Sequence, residues 1–254
     1  MLAVERRNQI VEQLQLQPRV LVSELAVRYS VTEETIRRDL ERLEQAGYVQ
    51  RSYGGAVSCN SGKIELPNSL RRRKNAPAKT KMAQIVSGLI QDGDHLLLDD
   101  SSTALYAAKS LAANKKRLTI ITNSIDILNV LAGVRGIQAI STGGTLEEDG
   151  CGLTGYRAEE TVRNYYVDYA IISCKGLDIV RGFTNSTDPS TQIKKSMMDS
   201  ARQVILLADS SKLGHVAFVQ IGTLQQVDIL VTETDPGQAW REACQQYDVT
   251  CLYE

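Results

Sequence analysis

The chain has 254 residues, of which 43% are hydrophobic, and a formal net charge of −1, as in an ordinary globular protein of one or two domains. Its apolar runs fall far short of the roughly 20 residues of a membrane span, and its N-terminus lacks the apolar run of a signal peptide. Five cysteines without a CxxC pair predict reduced thiols in a cytoplasmic protein. Two histidines without ligand spacing predict no metal site, and we expect no cofactor.

Charge is distributed unevenly along the chain. Residues 1–81 carry 15 Lys+Arg and 9 Asp+Glu, a balance of +6, whereas the remaining residues balance to −7. Opposite signs in two halves indicate separate roles, and the basic end is a candidate for nucleic acid. Residues 1–57 alone carry eight charges of each sign. A nucleic-acid role for this segment therefore depends on where its charges point.

Three helices are predicted before Gly47. The first runs roughly from Val4 to Leu16, and the second is short and covers SELAVRY. The third follows Thr32, whose hydroxyl can accept hydrogen bonds from the first turn, and Gly47 can end it in the left-handed conformation. Helical periodicity places an apolar stripe on one side of this third helix and Arg38 on the other.

The stretch YVQRSYGGAV predicts two short strands joined by a glycine turn, a β-wing after the third helix. Two helices joined by a tight turn and followed by a wing predict a winged helix-turn-helix, whose second helix of the pair enters the major groove of double-stranded DNA. The residues expected to contact operator DNA are Thr32, Glu34, Thr35, Arg37, Arg38, Arg42, Arg51, Ser52 and Tyr53. The alternative is that the arginines only face water and pair with glutamates one turn away.

The stretch TIRRDLERLEQAGYVQRSYGGAV resembles the signature of the DeoR family of bacterial transcriptional regulators. The family pattern is matched by Thr35, Ile36, Arg37 to Leu40, Leu43, Gly47, Arg51 and Gly54 to Ala56. The family commonly has histidine where this chain has Tyr53, whose hydroxyl can still donate to a phosphate. The resemblance implies a DNA-binding transcriptional regulator.

From about Met82 onward, short apolar runs alternate with helical patterns, which predicts an α/β fold with a mostly parallel sheet. The candidate strands are His95–Leu98, Leu118–Thr122, Ile137–Ser141, Tyr169–Ser173, Gln203–Ala208 and Asp228–Val231. The candidate helices are Thr103–Leu111, Ser124–Leu131, Ala158–Tyr165, Gln192–Ala201 and Gly237–Gln246. We predict a winged helix-turn-helix domain over residues 1–57, a linker over 58–76 and an effector-binding domain over 77–254.

Small, polar or glycine residues follow the predicted strands. Ligands of parallel sheets bind beyond the carboxyl ends of the strands, where helix N-termini present free N–H groups. Hydroxyls and lysines there suit a phosphate, and aspartates suit sugar hydroxyls. The candidate effector-binding residues are Asp99, Ser101, Ser102, Thr103, Asn123, Ser124, Gly143, Gly144, Lys175, Gly176, Asp209 and Lys212.

The family resemblance extends over the second half. It implies an effector domain similar in fold to ribose-5-phosphate isomerase, which binds phosphorylated sugars or related metabolites. The family's Asp-x-Gly-Ser-Thr, Thr-Asn, Gly-Gly and Asp-x-Ser-Lys elements match the candidates above, with Ser101 in place of the glycine. A further element, usually rich in glycine, reads Cys174-Lys175-Gly176 here. The resemblance also implies roles near the effector for Arg71 and Lys79.

We therefore expect a repressor of a carbohydrate-catabolism operon that is released by a phosphorylated sugar or related metabolite. It would act as a homo-oligomer, a dimer or a tetramer, because symmetric operators match symmetric proteins. The alternative is a sugar-phosphate isomerase-type enzyme, with Asp99, Asp100 and Lys175 as its reacting groups. Because an enzyme gains nothing obvious from a DNA-binding segment, we expect no catalytic residues.

Overall fold

The structure of the chain, a computed structural model, describes residues 1–17, 19–45, 48–58, 68–147 and 151–254. The chain divides into two compact units, Met1–Arg73 and Lys74–Glu254, and each unit has its own hydrophobic core. Within the described ranges, no helix is both long enough and apolar enough to cross a membrane.

The first unit is a three-helix core with a small antiparallel sheet. In chain order it contains α1 (Ala3–Leu16), β1 (Arg19–Leu21), α2 (Val22–Tyr29), α3 (Glu33–Gln45), β2 (Val49–Ser52), β3 (Gly55–Ser58) and α4 (Asn68–Arg73). The strands pair in the order β1-β3-β2, so β2 and β3 form the predicted wing. Ser30, with φ of 52°, makes the tight turn between α2 and α3. The predicted winged helix-turn-helix is confirmed.

Strand β1 was not predicted from the sequence. It pairs with β3 so closely that a Cβ at Gly55 would lie 2.1 Å from the carbonyl oxygen of Val20. Only glycine fits this approach, which explains the second glycine of the wing. Three residues between two helices carry too little periodicity to reveal a strand.

The end of the predicted linker differs from the structure. Residues 68–73 form α4, and Leu70 is buried in the core of the first unit. A single leucine among arginines shows no periodicity, so tertiary packing decides this helix. Residues 59–67 and Gly47, the predicted end of the third helix, lie outside the described residues.

The second unit is a three-layer α/β structure. Its helices are α5 (Ala76–Leu89), α6 (Ser102–Ala113), α7 (Ile125–Leu131), α8 (Tyr156–Arg163), α9 (Asp188–Asp199) and α10 (Gln238–Gln246). Its main sheet contains β4 (His95–Leu98), β5 (Leu118–Thr122), β6 (Ile137–Ser141), β9 (Val167–Ser173), β12 (Ala201–Leu207), β14 (Ile229–Val231) and β15 (Thr250–Leu252). Shorter strands outside it are β7 (Thr145–Leu146), β8 (Leu153–Thr154), β10 (Gly176–Asp178), β11 (Gly182–Asn185) and β13 (Val219–Gly222).

The main sheet is parallel, in the order β15-β14-β12-β9-β4-β5-β6. Helices cover both faces: Leu96 and Leu98 point to a core with α5, α6 and α7, whereas Leu97 points to one with α8, α9 and α10. From β4 the chain builds outward to β6 and then returns to β9 on the other side of β4. This reversal makes the gap between β4 and β9 the topological switch point, where ligands of such sheets bind.

Candidate functional site

The outer face of α3 carries most of the residues predicted to contact DNA. Thr32 precedes the helix, and its Oγ1 lies 3.3 Å from the backbone N of Thr35, a cap as predicted, and 2.9 Å from the Oγ1 of Thr35. The side chains beyond the cap are exposed on the helix surface; they are Glu34, Arg37, Arg38 and Arg42. The apolar stripe of Ile36 and Leu40 is buried on the opposite side.

Two of these arginines form ion pairs within the helix. Arg37 pairs with Glu33 at 2.6 Å and Arg38 with Glu34 at 3.3 Å, and the arginine side chains are 56% and 75% exposed. For Arg37 and Arg38, the structure therefore contains the glutamate pairs that the alternative interpretation predicted. Exposed pairs at this spacing contribute only about 0.3–0.5 kcal/mol, so exchanging a carboxylate for a DNA phosphate costs little.

The wing is joined to α3 by Arg51. Its backbone N–H donates to Glu44 Oε1 at 2.8 Å and its Nε to Glu44 Oε2 at 2.6 Å. The backbone hydrogen bond and then the side-chain one hold the pKa of Glu44 below its usual value. Ser52 follows on β2 and is exposed, and Tyr53 is fully exposed in the turn. The wing thus presents a phenol at its tip while Arg51 braces it.

Asp39 and Arg6 form a buried ion pair that sequence reasoning missed. Arg6 Nε lies 2.5 Å from Asp39 Oδ2, the two side chains are 7% and 5% exposed, and Arg7 approaches the other oxygen at 3.4 Å. The signal was present, because an aspartate at position 39 lies on the apolar stripe of Ile36 and Leu40. A charge there requires a buried partner.

In the second unit, Asp99 occupies the switch point and is completely buried. Its Oδ1 accepts from the backbone N–H of Ser101 at 3.0 Å, and its Oδ2 accepts from that of Ser173 at 2.8 Å and from the Nζ of Lys194. Both oxygens are thereby engaged by the protein. Asp99 ties the end of β4 to the end of β9 and to α9, and its predicted contact with sugar hydroxyls stays a prediction.

Lys194 is a second charged residue that the sequence did not reveal. Its side chain is 3% exposed, contacts Asp99 and lies 3.9 Å from Asp100. Burial lowers the pKa of Lys194, but the carboxylates of Asp99 and Asp100 outweigh that effect, so the pKa is raised. The sequence did contain a sign of this burial: Lys194 lies beside Ile193 and one turn before Met197, both of which are buried on α9.

The starts of α6 and α7 lie beyond the ends of β4 and β5. Ser101 caps α6 by accepting from the N–H of Ala104 at 3.0 Å, and Ser124 caps α7 by accepting from that of Ile127 at 3.3 Å. Ser102 is the first residue of α6, and Thr103, the next, is buried. Helix starts of this kind carry a partial positive charge and favour anions.

Asn123 follows β5 and is completely buried. Its Nδ2 donates to the carbonyl of Leu153 at 3.1 Å, whereas its Oδ1 has no hydrogen-bond partner among the described residues. A buried acceptor without a donor is costly, and a ligand hydroxyl can supply one. After the next strand, Gly143 and Gly144 have φ of 63° and 114°, and both are exposed.

A second cluster of polar residues lies after the end of β12. Asp209 is buried and accepts from the N–H of Ser211 at 3.1 Å, from the hydroxyl of Ser211 and from Nδ2 of Asn75 at 2.9 Å. Lys212 ends the short 3-10 turn that Asp209 caps. Lys79 is buried on α5 and donates to the carbonyl of Lys74 at 2.7 Å. Arg71 belongs to the first unit, on α4.

Cys174 follows β9 between these two groups. Burial raises its pKa to about 12, against the opposing charges of Lys212 and Lys194. The thiol is therefore neutral and unreactive. Lys175 is next, with its backbone N–H bonded to the carbonyl of Thr184 at 2.8 Å. Gly176 begins β10, where a Cβ would lie 2.4 Å from the carbonyl oxygen of His215.

Neighbouring strands thus bring most of the predicted effector residues to one edge of the sheet. Lys175, Asp99, Asn123 and Gly143 follow the adjacent strands β9, β4, β5 and β6, and Asp209 follows β12 next to β9. This edge combines helix starts and a lysine for an anion with an unsatisfied acceptor for a hydroxyl.

Two family models match the chain: a DeoR-like helix-turn-helix domain over residues 6–62 and the DeoR C terminal sensor domain over residues 74–234. The uncharacterized HTH-type transcriptional regulator YulB of Bacillus subtilis (strain 168) is 41% identical over 93% of this chain and 92% of that protein. The HTH-type transcriptional repressor GlcR of the same strain is 34% identical over 98% and 95%. The glycerol-3-phosphate regulon repressor of Escherichia coli (strain K12) is 28% identical over 91% of each chain.

Among solved structures, ribose 5-phosphate isomerase A from Methanocaldococcus jannaschii is similar to this chain. The similar region covers 55% of each chain, with a TM-score of 0.41 and 20% sequence identity. A likeness of that size carries no functional argument. The two family matches together span both units, and the expected DNA-binding and sensor domains are confirmed by them. The isomerase-type enzyme is thereby set aside: the chain belongs to the DeoR family of transcriptional regulators.

Proposed function

We propose that the chain is a cytoplasmic repressor of a carbohydrate operon that acts as a homo-oligomer and is released by a phosphorylated sugar. Operator DNA is bound by the outer face of α3 and by the wing, through Thr32, Thr35, Arg37, Arg38 and Tyr53. The exposed arginines with weak carboxylate partners support this role, since phosphate contacts supply most of the affinity of such proteins for DNA.

The effector site lies at the carboxyl edge of the main sheet. The observation that carries this proposal is the run of polar residues after the adjacent strands β9, β4, β5 and β6. Strands lie about 4.8 Å apart, so the edge from β9 to β6 spans roughly 14 Å, enough room for a small phosphorylated sugar. The glycerol-3-phosphate regulon of one relative is named for a phosphorylated polyol, which agrees with this class.

Each group has a place in this proposal. The start of α6 and the ammonium of Lys212 receive the phosphate, because they supply positive charge and free N–H groups. Asn123 accepts a hydroxyl, and Gly143 and Gly144 let the backbone approach the sugar. Binding favours an arrangement of the oligomer that no longer fits the operator, a coupling of about 1–3 kcal/mol per site.

Thermal-shift screening of the full chain against phosphorylated sugars and the matching free sugars tests the proposal. A ligand that binds only the folded protein raises its melting temperature, and we expect this from a sugar phosphate but not from its free sugar. The same ligand should release a duplex from the promoter region of the chain's own gene. The variant Lys212→Ala should keep duplex binding and lose the shift, whereas Lys195→Ala should keep both. Duplex binding that no member of the panel alters would contradict the proposed effector class.

A further inference from the structure

We propose that Asp39 is a positioning residue for DNA recognition: its buried pair with Arg6 fixes the rotation of α3 about its own axis and so decides which side chains face the bases. The inference rests on the proposed role of the outer face of α3. It concerns a residue that lies inside the unit and cannot contact DNA itself.

The geometry separates Asp39 from the exposed charges of the same helix. The side chains of Asp39 and Arg6 are only 5% and 7% exposed, whereas the neighbouring Arg38 lies on the open face. Arg6 Nε and Arg7 Nη1 approach different oxygens of the carboxylate, at 2.5 Å and 3.4 Å. Two donors from α1 therefore hold one side chain of α3 from a fixed direction.

Stability alone does not account for this pair. Replacing a buried ion pair by apolar side chains of similar volume is often neutral or stabilising, because removing two charges from water is costly. The stripe of Ile36, Leu40 and Leu43 already buries α3, and a leucine at position 39 would extend it. What the ion pair adds is direction, since apolar contacts are not directional whereas a charged hydrogen bond is.

Direction matters here because recognition is sensitive to small rotations. At a helix radius of about 6 Å including side chains, a rotation of 20°, taken as an illustration, moves a side chain by about 2 Å. Hydrogen bonds to base edges tolerate only a few tenths of an ångström. An α3 held by apolar contacts alone would thus still present cations to the backbone but would lose its register with the bases.

The test compares the full-length wild-type chain with the double variant Arg6→Met/Asp39→Leu. The probes are the duplex that wild-type protein enriches most from a randomised library and a scrambled duplex of equal length. We expect the double variant to melt at or above the wild-type temperature and to bind the scrambled duplex within about twofold of wild type. Its preference for the enriched duplex should fall at least tenfold, as for the loss of one bidentate base contact. The weaker contact, removed in Arg7→Met, should change that preference less.

A folded double variant with wild-type preference would overturn the inference, because the pair would then be structural only. If the double variant does not fold, Arg6→Lys decides the matter, since it keeps the charge but lacks the planar guanidinium. We expect Arg6→Lys to fold and to lose preference, and full wild-type preference in this variant would equally overturn the inference. A wild-type chain that enriches no duplex would contradict the DNA role of α3 itself, a separate failure that removes this inference with it.

Discussion

Glu44 of α3 accepts both the backbone N–H and the Nε of Arg51 on the wing. The helix before position 47 and the wing after it are thereby joined by one carboxylate. Both side chains stay partly exposed, at 35% for Glu44 and 48% for Arg51. Salt can therefore screen this ion pair, and acid can break it by protonating Glu44.

We expect the pKa of Glu44 to lie below its ordinary value of 4.5 in the folded protein and to rise in Arg51→Ala. Because the pKa is depressed by folding, the contact stabilises the wing fully above pH 4.5 and is lost as the pH falls through the folded-state pKa. The rise should be partial, since the alanine variant keeps the backbone N–H. Carboxyl ¹³C NMR titration measures both values, and an ordinary pKa in the wild type would refute the contact.

Arg38→Ala should weaken binding of a promoter duplex and reduce its salt dependence. Each phosphate contact releases counterions, so the slope of log K against log salt should lose about 0.9 in magnitude. Fluorescence anisotropy at several salt concentrations gives the slope. Arg202→Ala removes an exposed arginine of the second unit and is the matched control, with no expected change. An unchanged slope for Arg38→Ala would argue against a phosphate contact.

Lys194→Met should destabilise the second unit by about 3–5 kcal/mol, the usual cost of breaking one half of a buried pair. Asp99 would keep its two backbone donors but lose its counter-ion. Urea unfolding measures the change. The neighbouring Lys195 is only partly buried, so Lys195→Met should cost clearly less, about 1 kcal/mol or under. Equal costs for the two lysines would contradict the buried pair.

Gly144→Ala should cost more stability than Gly143→Ala. Both residues have positive φ, which costs an alanine about 1–2 kcal/mol. At Gly144 the new Cβ would also lie 2.6 Å from the carbonyl oxygen of Thr154, whereas nothing lies within 4 Å at Gly143. Urea unfolding of the two variants compares the costs directly, and equal costs would show that the backbone there relaxes.

The sequence predicted the main strands well because parallel strands covered on both faces are continuous apolar runs, as in Leu96 to Leu98. Strand β15 escaped because its three residues lie at an edge and only partly face the core. The small sheet of β10, β11 and β13 escaped for another reason: Gly176, Gly182 and Asn185 are residues typical of turns. The strand conformation of these segments is set by their pairing with one another in the folded unit and not by their local sequence.

It was predictable that the proposed effector residues at the strand ends would lie together, because the carboxyl ends of parallel strands share one edge of the sheet; their contact with an effector stays a prediction. The charged pairs were not. Lys194 meets Asp99 across 95 residues and Arg6 meets Asp39 across 33, and no local pattern specifies such partners. A charged residue in a helix is normally solvent-exposed, so only its place on a buried stripe distinguishes it.

The strand order also has a consequence for biosynthesis. β4 pairs with β5 on one side and with β9 on the other, and β9 emerges from the ribosome about 70 residues after β4. At the usual 5–20 residues per second, several seconds pass with one edge of β4 open. Such an unpaired edge attracts other strands. We therefore expect the nascent second unit to be exposed to strand mispairing until β9 is made, and the first unit, built from more local contacts, to fold earlier.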